Sequence, residues 1–337
     1  MNNRAIHPTA SIFAGILATY GIFLVPAHGE GTAWSTDPSK VVGSDTCIEC
    51  HKAAHTVLEG THHFGTYTEM PESDKAIEIA GKMGIEALDL TTSDTCRQCH
   101  FTVQKDGDKL RAISGISCES CHGAAADWVK VHSDEKKPKE ARLAEAVTKG
   151  MNRPGDMYAL FSNCLECHTA PNEKLVNVGG HPAGSDFELV SYSQGEIRHT
   201  FNDGETVNEV ASAEKLRVMF VLGKALEVEY ALKAISGVTE AGGVYQTAMV
   251  KRYQTAVQFL QQIQATVGEH AQLAAIVAAG TNVGGGSADE LKAAATAVGK
   301  AAQEFSKSAD GSKLAALDGT VQQWLAAKKG NPAPYTP

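Results

Sequence analysis

All eight cysteines of this chain fall into four copies of one pattern, Cys-x-x-Cys-His. In this pattern two thiols one helical turn apart can form thioethers to the vinyl groups of one porphyrin, and the histidine that follows faces the iron. The pattern therefore predicts covalently attached c-type haem. The motifs are Cys47, Cys50 and His51; Cys96, Cys99 and His100; Cys118, Cys121 and His122; and Cys164, Cys167 and His168. We expect four haem c groups, attached through the cysteines and ligated by the four histidines.

Other uses of paired cysteines fit the spacing less well. A thioredoxin-like redox pair has no need of a histidine after every second cysteine. Structural zinc sites combine cysteine pairs without a fixed following histidine. A disulfide closed within Cys-x-x-Cys is strained and easily reduced, so it makes a poor structural cross-link. The sequence therefore favours haem attachment over all three alternatives.

The second axial ligands separate an electron carrier from an enzyme. An iron with two histidine ligands suits electron transfer, whereas an iron with an open position can bind a small molecule. The candidate second ligands are His55, His62, His63, His132, His181 and His199. They outnumber the four predicted irons, so every iron could have two histidine ligands. His270 lies far from any cysteine, and we predict that it is a surface residue.

The stretch GISCESCHGAAADWVKVH, together with the histidines that follow the first motif, resembles the tetrahaem cytochrome c-554 family over about residues 42–200. The resemblance implies haems stacked in near-parallel pairs, with two histidines on three irons and a five-coordinate second haem. The ligand pairs that it implies are His51 with His132, His122 with His55, and His168 with His63 or His62.

This chain departs from the family pattern in two ways. His62 and His63 are adjacent, so either could serve the fourth haem. His181 and His199 lie in a long Gly/Ser-containing loop after the fourth motif. Either of these loop histidines could close the second haem, on His100, or could be an ordinary polar loop residue.

The fold class that we expect is mainly α, with a haem-dense domain of short helices and loops at residues 30–204 and a helical bundle at 205–330. No cysteine follows the fourth motif. The segments after it have apolar residues at helical spacing and residues that can cap helices. Met219 and Met249 are predicted to be core residues rather than iron ligands. The expected helices are residues 74–87, 136–149, 212–236, 239–267, 269–279, 287–307 and 312–328.

The N-terminus predicts export to the periplasm or beyond. Arg4 precedes a 16-residue apolar stretch at 11–26, and the small residues Ala27 and Gly29 follow in the sequence Ala27-His28-Gly29. This order is typical of a signal peptide at residues 1–29, although an uncleaved anchor is the alternative. The formal net charge of −9 argues against nucleic acid as a partner. The basic run at 136–139 is either a solvated face or a docking patch.

Three functions are compatible with these features. The leading hypothesis is an electron carrier between a redox-protein donor and a redox-protein acceptor. The second is an enzyme that acts on a small nitrogen compound at an open iron on His100. The third is a subunit of a cytochrome assembly. A membrane-bound, quinone-linked cytochrome and a second copy of the chain are further candidate partners.

Overall fold

The protein is represented by a computed structural model that describes residues 36–200, 208–284 and 286–333. It is 63% helical and 4% strand, which confirms the predicted mainly α fold class. The predicted export signal at residues 1–29 lies outside the described residues. Within these ranges, every helix is too short or too polar to cross a membrane.

Short helices carry all four predicted haem motifs. The helices of this part are α1 (Asp45–Glu59), α2 (His62–Glu69), α3 (Asp74–Met83), α4 (Asp94–His100), α5 (Cys118–His122), α6 (Val129–His132), α7 (Lys139–Thr148), α8 (Met157–His168), α9 (Glu173–Asn177) and α10 (Leu189–Ser193). Short 3₁₀ turns lie at Pro38–Lys40 and Ala87–Asp89. Three of the motif helices end at the motif histidine, and α1 leaves helical geometry at His51 (φ −108°, ψ 37°). Each motif histidine therefore lies where a helix ends or bends.

A β-hairpin that was not predicted joins the second and third motifs. Strands β1 (Thr102–Asp106) and β2 (Lys109–Ser114) pair antiparallel around Gly107, whose φ of +59° favours glycine. The Thr102 hydroxyl contacts the Ser117 and Ser120 hydroxyls at 2.8 Å each. The hairpin thereby positions the start of α5 and its motif.

A buried carboxylate fixes the lead-in segment against the third motif. Glu119, which is 1% exposed, accepts hydrogen bonds from the backbone N–H groups of Val42 (3.0 Å), Gly43 (2.7 Å) and Ala125 (2.7 Å). Buried N–H groups need such acceptors, because an unpaired one costs about 1–3 kcal/mol. The motif residue between Cys118 and Cys121 therefore ties three chain segments together.

The C-terminal part is a bundle of longer helices. These are α11 (Ala213–Ser236), α12 (Val244–Val267), α13 (Ala271–Thr281), α14 (Ala288–Ser308) and α15 (Asp318–Ala326), with a 3₁₀ turn at Gly311–Leu317. Ser212 caps α11, and Ser287 with Glu290 forms a capping box for α14, as predicted. The predicted start of α12 at Thr239 is wrong by several residues, since the chain turns through Gly242 (φ +78°) before helix geometry begins.

The core is centred on α11, which is buried on nearly every side. Phe220, Leu222 and Leu226 in this helix have no exposed surface. Met219 and Met249 are 1% and 0% exposed, as expected for core residues. Phe161 and Leu165 of α8 belong to the same apolar cluster. The helix that carries the fourth motif is therefore packed into the core of the bundle. The predicted domain boundary near residue 204 remains a prediction.

Candidate metal centres

Each of the four motif histidines faces one other histidine at nearly the same distance. The separations between ring centroids are 6.2 Å for His51 and His132, 6.0 Å for His168 and His63, 6.3 Å for His100 and His181, and 6.2 Å for His122 and His199. Eight histidines thus form four pairs, and every pair contains one motif histidine and one from elsewhere in the chain.

This separation matches the distance expected between the centroids of two imidazole rings that bind one metal ion from opposite sides. A metal–nitrogen bond of about 2 Å on each side, plus about 1 Å from each nitrogen to its ring centre, gives roughly 6 Å. The angles between the ring planes range from 19° to 83°, so a shared stacking geometry does not explain the constant distance. A metal bound between two rings constrains their separation but not their rotation. The pairs therefore fit iron held between two histidines.

Hydrogen bonds at Nδ1 orient the rings so that Nε2 is free for a metal. A carbonyl oxygen only accepts, so an Nδ1 bound to a carbonyl must carry the hydrogen. These contacts are His122 to Asn152 (3.0 Å), His132 to Val129 (2.6 Å), His181 to Pro182 (2.8 Å) and His199 to Ile197 (2.7 Å). In the fourth site, His168 Nδ1 lies 2.7 Å from the Ser185 hydroxyl.

Burial keeps most of these imidazoles neutral. It is the main cause that lowers the pKa of His100, His122 and His168 to about 4, and it also lowers the pKa of the His51, His63 and His199 imidazoles. Neutral imidazole is the form that donates a lone pair to a metal. The buried pairs are therefore ready to act as ligands near neutral pH.

The second site surrounds a cavity with an open volume of about 1110 Å³. Both motif thiols, His100 and His181 line it, and its walls are mostly apolar. The apolar lining residues include Met70, Ile79, Met83, Ile85, Leu90 and Leu175. An apolar cavity with two thiols and two facing imidazoles fits a covalently attached porphyrin and its iron.

Residues of the fourth site line a second cavity, whose empty space of about 820 Å³ includes open solvent. Its lining includes His63, His168, Cys164 and Cys167, together with Gln98 from the second motif. The buried Gln98 side-chain amide nitrogen has no hydrogen-bond partner among the described residues. Such a donor suits the carboxylate of a haem, because buried polar groups normally have partners.

Cysteines of different motifs lie next to each other. The Cys47 and Cys118 thiols are near enough for Cys118 to raise the pKa of Cys47, and Cys99 and Cys167 are near enough for Cys167 to lower the pKa of Cys99. All eight thiols are free of disulfides. The attachment points of the first and third sites are therefore adjacent, and so are those of the second and fourth.

Two predicted ligands lie outside the pairs. His55 points along α1, where its Nδ1 is 3.4 Å from the Glu59 carboxylate and its ring packs edge-on against Phe64. His62 is 85% exposed, and its ion pair with Glu196 raises its pKa.

The arrangement differs from the pairing that the resemblance implied at two sites. His199, rather than His55, lies opposite His122, because the loop after the fourth motif returns to the third site. His181 lies opposite His100, where the resemblance implied no second ligand. Of the adjacent pair, His63 faces His168, and His132 faces His51 as the resemblance implied.

His270, which was predicted to be a surface residue, is partly exposed at the start of α13. It caps α13 by accepting from the Leu273 N–H at 3.4 Å, and its ring is 6.0 Å from that of Phe305. Ser185, whose hydroxyl contacts His168, was not predicted as a site residue. A single serine in a loop has no sequence pattern that indicates such a contact.

Part of the chain is similar in sequence to known cytochromes. Residues 46–123 match the family described as "Cytochrome c554 and c-prime". Cytochrome c-554 of Nitrosomonas europaea is 25% identical over 177 residues, which cover 50% of this chain and 72% of that protein. Both matches support an assignment to the cytochrome c-554 family over part of the chain. This family comprises multihaem c-type cytochromes in electron transfer, so haem c is the implied cofactor and redox proteins are the implied partners. No solved structure matches the chain.

Proposed function

We propose that the protein is an exported, periplasmic tetrahaem cytochrome that carries electrons through four irons, each bound by two histidines. The four imidazole pairs at 6.0–6.3 Å carry this proposal. Each haem, when bound, supplies an iron that changes oxidation state by one electron.

The protein's own residues attach, orient and enclose the cofactors. The eight motif cysteines provide the thioether links, and the Nδ1 hydrogen bonds hold the rings in place. The adjacent thiols of different motifs support close approach between neighbouring haems, which short-range electron transfer needs. The haem domain at residues 30–204 and the bundle at 205–330 then have distinct roles, the second supporting the first through α8.

The position of His181 favours an electron carrier over an enzyme. An enzyme acting at an iron on His100 would need an open coordination position there. The ring centroid of His181 lies 6.3 Å from that of His100, so His181 could hold the same iron from the other side. Donor and acceptor redox proteins are the proposed partners. The periplasmic location is proposed from the sequence pattern of residues 1–29, which is typical of an export signal.

Electron paramagnetic resonance of the purified, oxidised protein tests the proposal. We expect the spectrum to show low-spin ferric signals only. We also expect mass spectrometry of the same protein to show the added mass of four haems. In His181→Ala, about one quarter of the iron should become high-spin, because one of four pairs is broken. His62→Ala is the matched control, since that exposed histidine lies outside the pairs. A high-spin quarter in the unmodified protein, or a mass without haem, would contradict the proposal.

A further inference from the structure

The loop between α9 and α10 holds the motif histidine of the fourth site on two sides. The Ser185 hydroxyl is 2.7 Å from His168 Nδ1, and the Ser185 N–H donates to the His168 carbonyl oxygen at 3.2 Å. The Phe187 ring packs against the imidazole with 4.7 Å between centroids. The loop therefore sets both the orientation and the hydrogen bonding of this imidazole.

The bundle reaches the same loop through one cation. Arg252, on α12, donates from Nη2 to the Ser185 carbonyl oxygen at 2.7 Å. Gly184 permits this approach, because its φ is +83° and a Cβ there would lie 2.6 Å from Arg252 Nη2. The same Cβ would lie 2.5 Å from the His168 carbonyl oxygen, so the guanidinium approaches the backbone of the motif histidine.

We propose that Arg252 and Ser185 set the reduction potential of the iron between His63 and His168, and that they act in opposite directions. This inference rests on the ligation proposed above. A nearby fixed cation stabilises the reduced state, which has one more electron, so Arg252 raises the potential. A hydrogen bond from Nδ1–H to Ser185 makes the imidazole a stronger electron donor, which stabilises the oxidised iron and lowers the potential.

The bundle is then more than a scaffold, since one of its helices tunes a cofactor site in the other part of the chain. Both residues are positioning and tuning residues, because neither is proposed to bind the iron.

A redox titration of site variants tests this inference. The fourth site is identified by the low-spin signal that disappears in His63→Ala, and its potential is followed by electron paramagnetic resonance. Arg252→Gln should lower that potential, with roughly a tenfold change in the ratio of reduced to oxidised iron, or about 59 mV for one electron. Arg252→Lys should retain most of the wild-type value. Ser185→Ala should shift the potential upward.

Lys251→Gln is the matched control. Lys251 is the exposed neighbour of Arg252 on α12, so the variant removes the same charge from the same helix. Equal shifts in Arg252→Gln and Lys251→Gln, or no upward shift in Ser185→Ala, would overturn the inference. If Arg252→Gln fails to fold, Ser185→Ala decides the outcome. A His63→Ala variant that keeps every low-spin signal would instead contradict the proposed ligation, which is a separate failure.

Discussion

The clearest difference between the family pattern and this structure concerns the third site. The resemblance implies that His55 is the second ligand of the iron on His122, whereas the structure places His199 there at 6.2 Å. His55 instead lies beside Glu59 and Phe64. We therefore predict that His199→Ala opens the third iron and that His55→Ala leaves it unchanged.

The size of the effect follows from the number of pairs. One of four equivalent pairs is lost, so about one quarter of the ferric iron should pass from low spin to high spin. The imidazole of His199 is buried, which lowers its pKa, and it donates from Nδ1 to the Ile197 carbonyl oxygen at 2.7 Å. The alanine side chain has neither a lone pair for the iron nor a donor for the Ile197 carbonyl oxygen. The variant therefore loses both contacts of the His199 imidazole.

Quantitative spin counting on the oxidised proteins is the assay, with haem content measured on the same samples. His55→Ala serves as the matched control, since it removes the same side chain from the residue that the resemblance implied. A high-spin quarter in His55→Ala together with an all-low-spin His199→Ala would refute the pairing drawn from the structure.

Three further predictions concern stability and are measured by chemical denaturation of the haem-loaded protein. Phe220→Ala should lower the free energy of unfolding by about 3–5 kcal/mol, because it empties a fully buried core position, whereas Leu88→Ala, at a side chain 93% exposed, should stay within about 0.5 kcal/mol. Equal effects would contradict the assigned core. Glu119→Gln should cost about 1–3 kcal/mol, since the carboxylate accepts from three backbone N–H groups and an amide presents a donor to them; an unchanged midpoint would argue against these contacts. Asp318→Asn should destabilise the protein at pH 7, because the paired Arg217 guanidinium lowers the pKa of Asp318. The difference from the unmodified protein should begin to shrink as the pH falls below the usual aspartate pKa, and it should vanish only below the lowered pKa of the folded protein. A stability difference that does not vary with pH would show that the pair is not the cause.

Local patterns sufficed for much of the fold. The boundaries of α11 and α14 follow from Ser212 and from the Ser287–Glu290 capping box, because a cap depends on residues three or four positions apart. The hairpin at residues 102–114 was not predicted. Asp106-Gly107-Asp108 is a local turn signal. The hydroxyl contacts that support the hairpin come from a different element.

The sequence by itself determined the chemistry of attachment, since both thiols and the motif histidine of each site lie within five consecutive residues. It also supplied a sufficient set of further histidines. Which of them faces which motif was decided only by the tertiary structure. His132, His63, His181 and His199 lie between 77 and 105 residues from their partners, as differences of their sequence numbers show. Pairing over such separations depends on how helices and loops pack around the sites, and no local spacing rule contains that information.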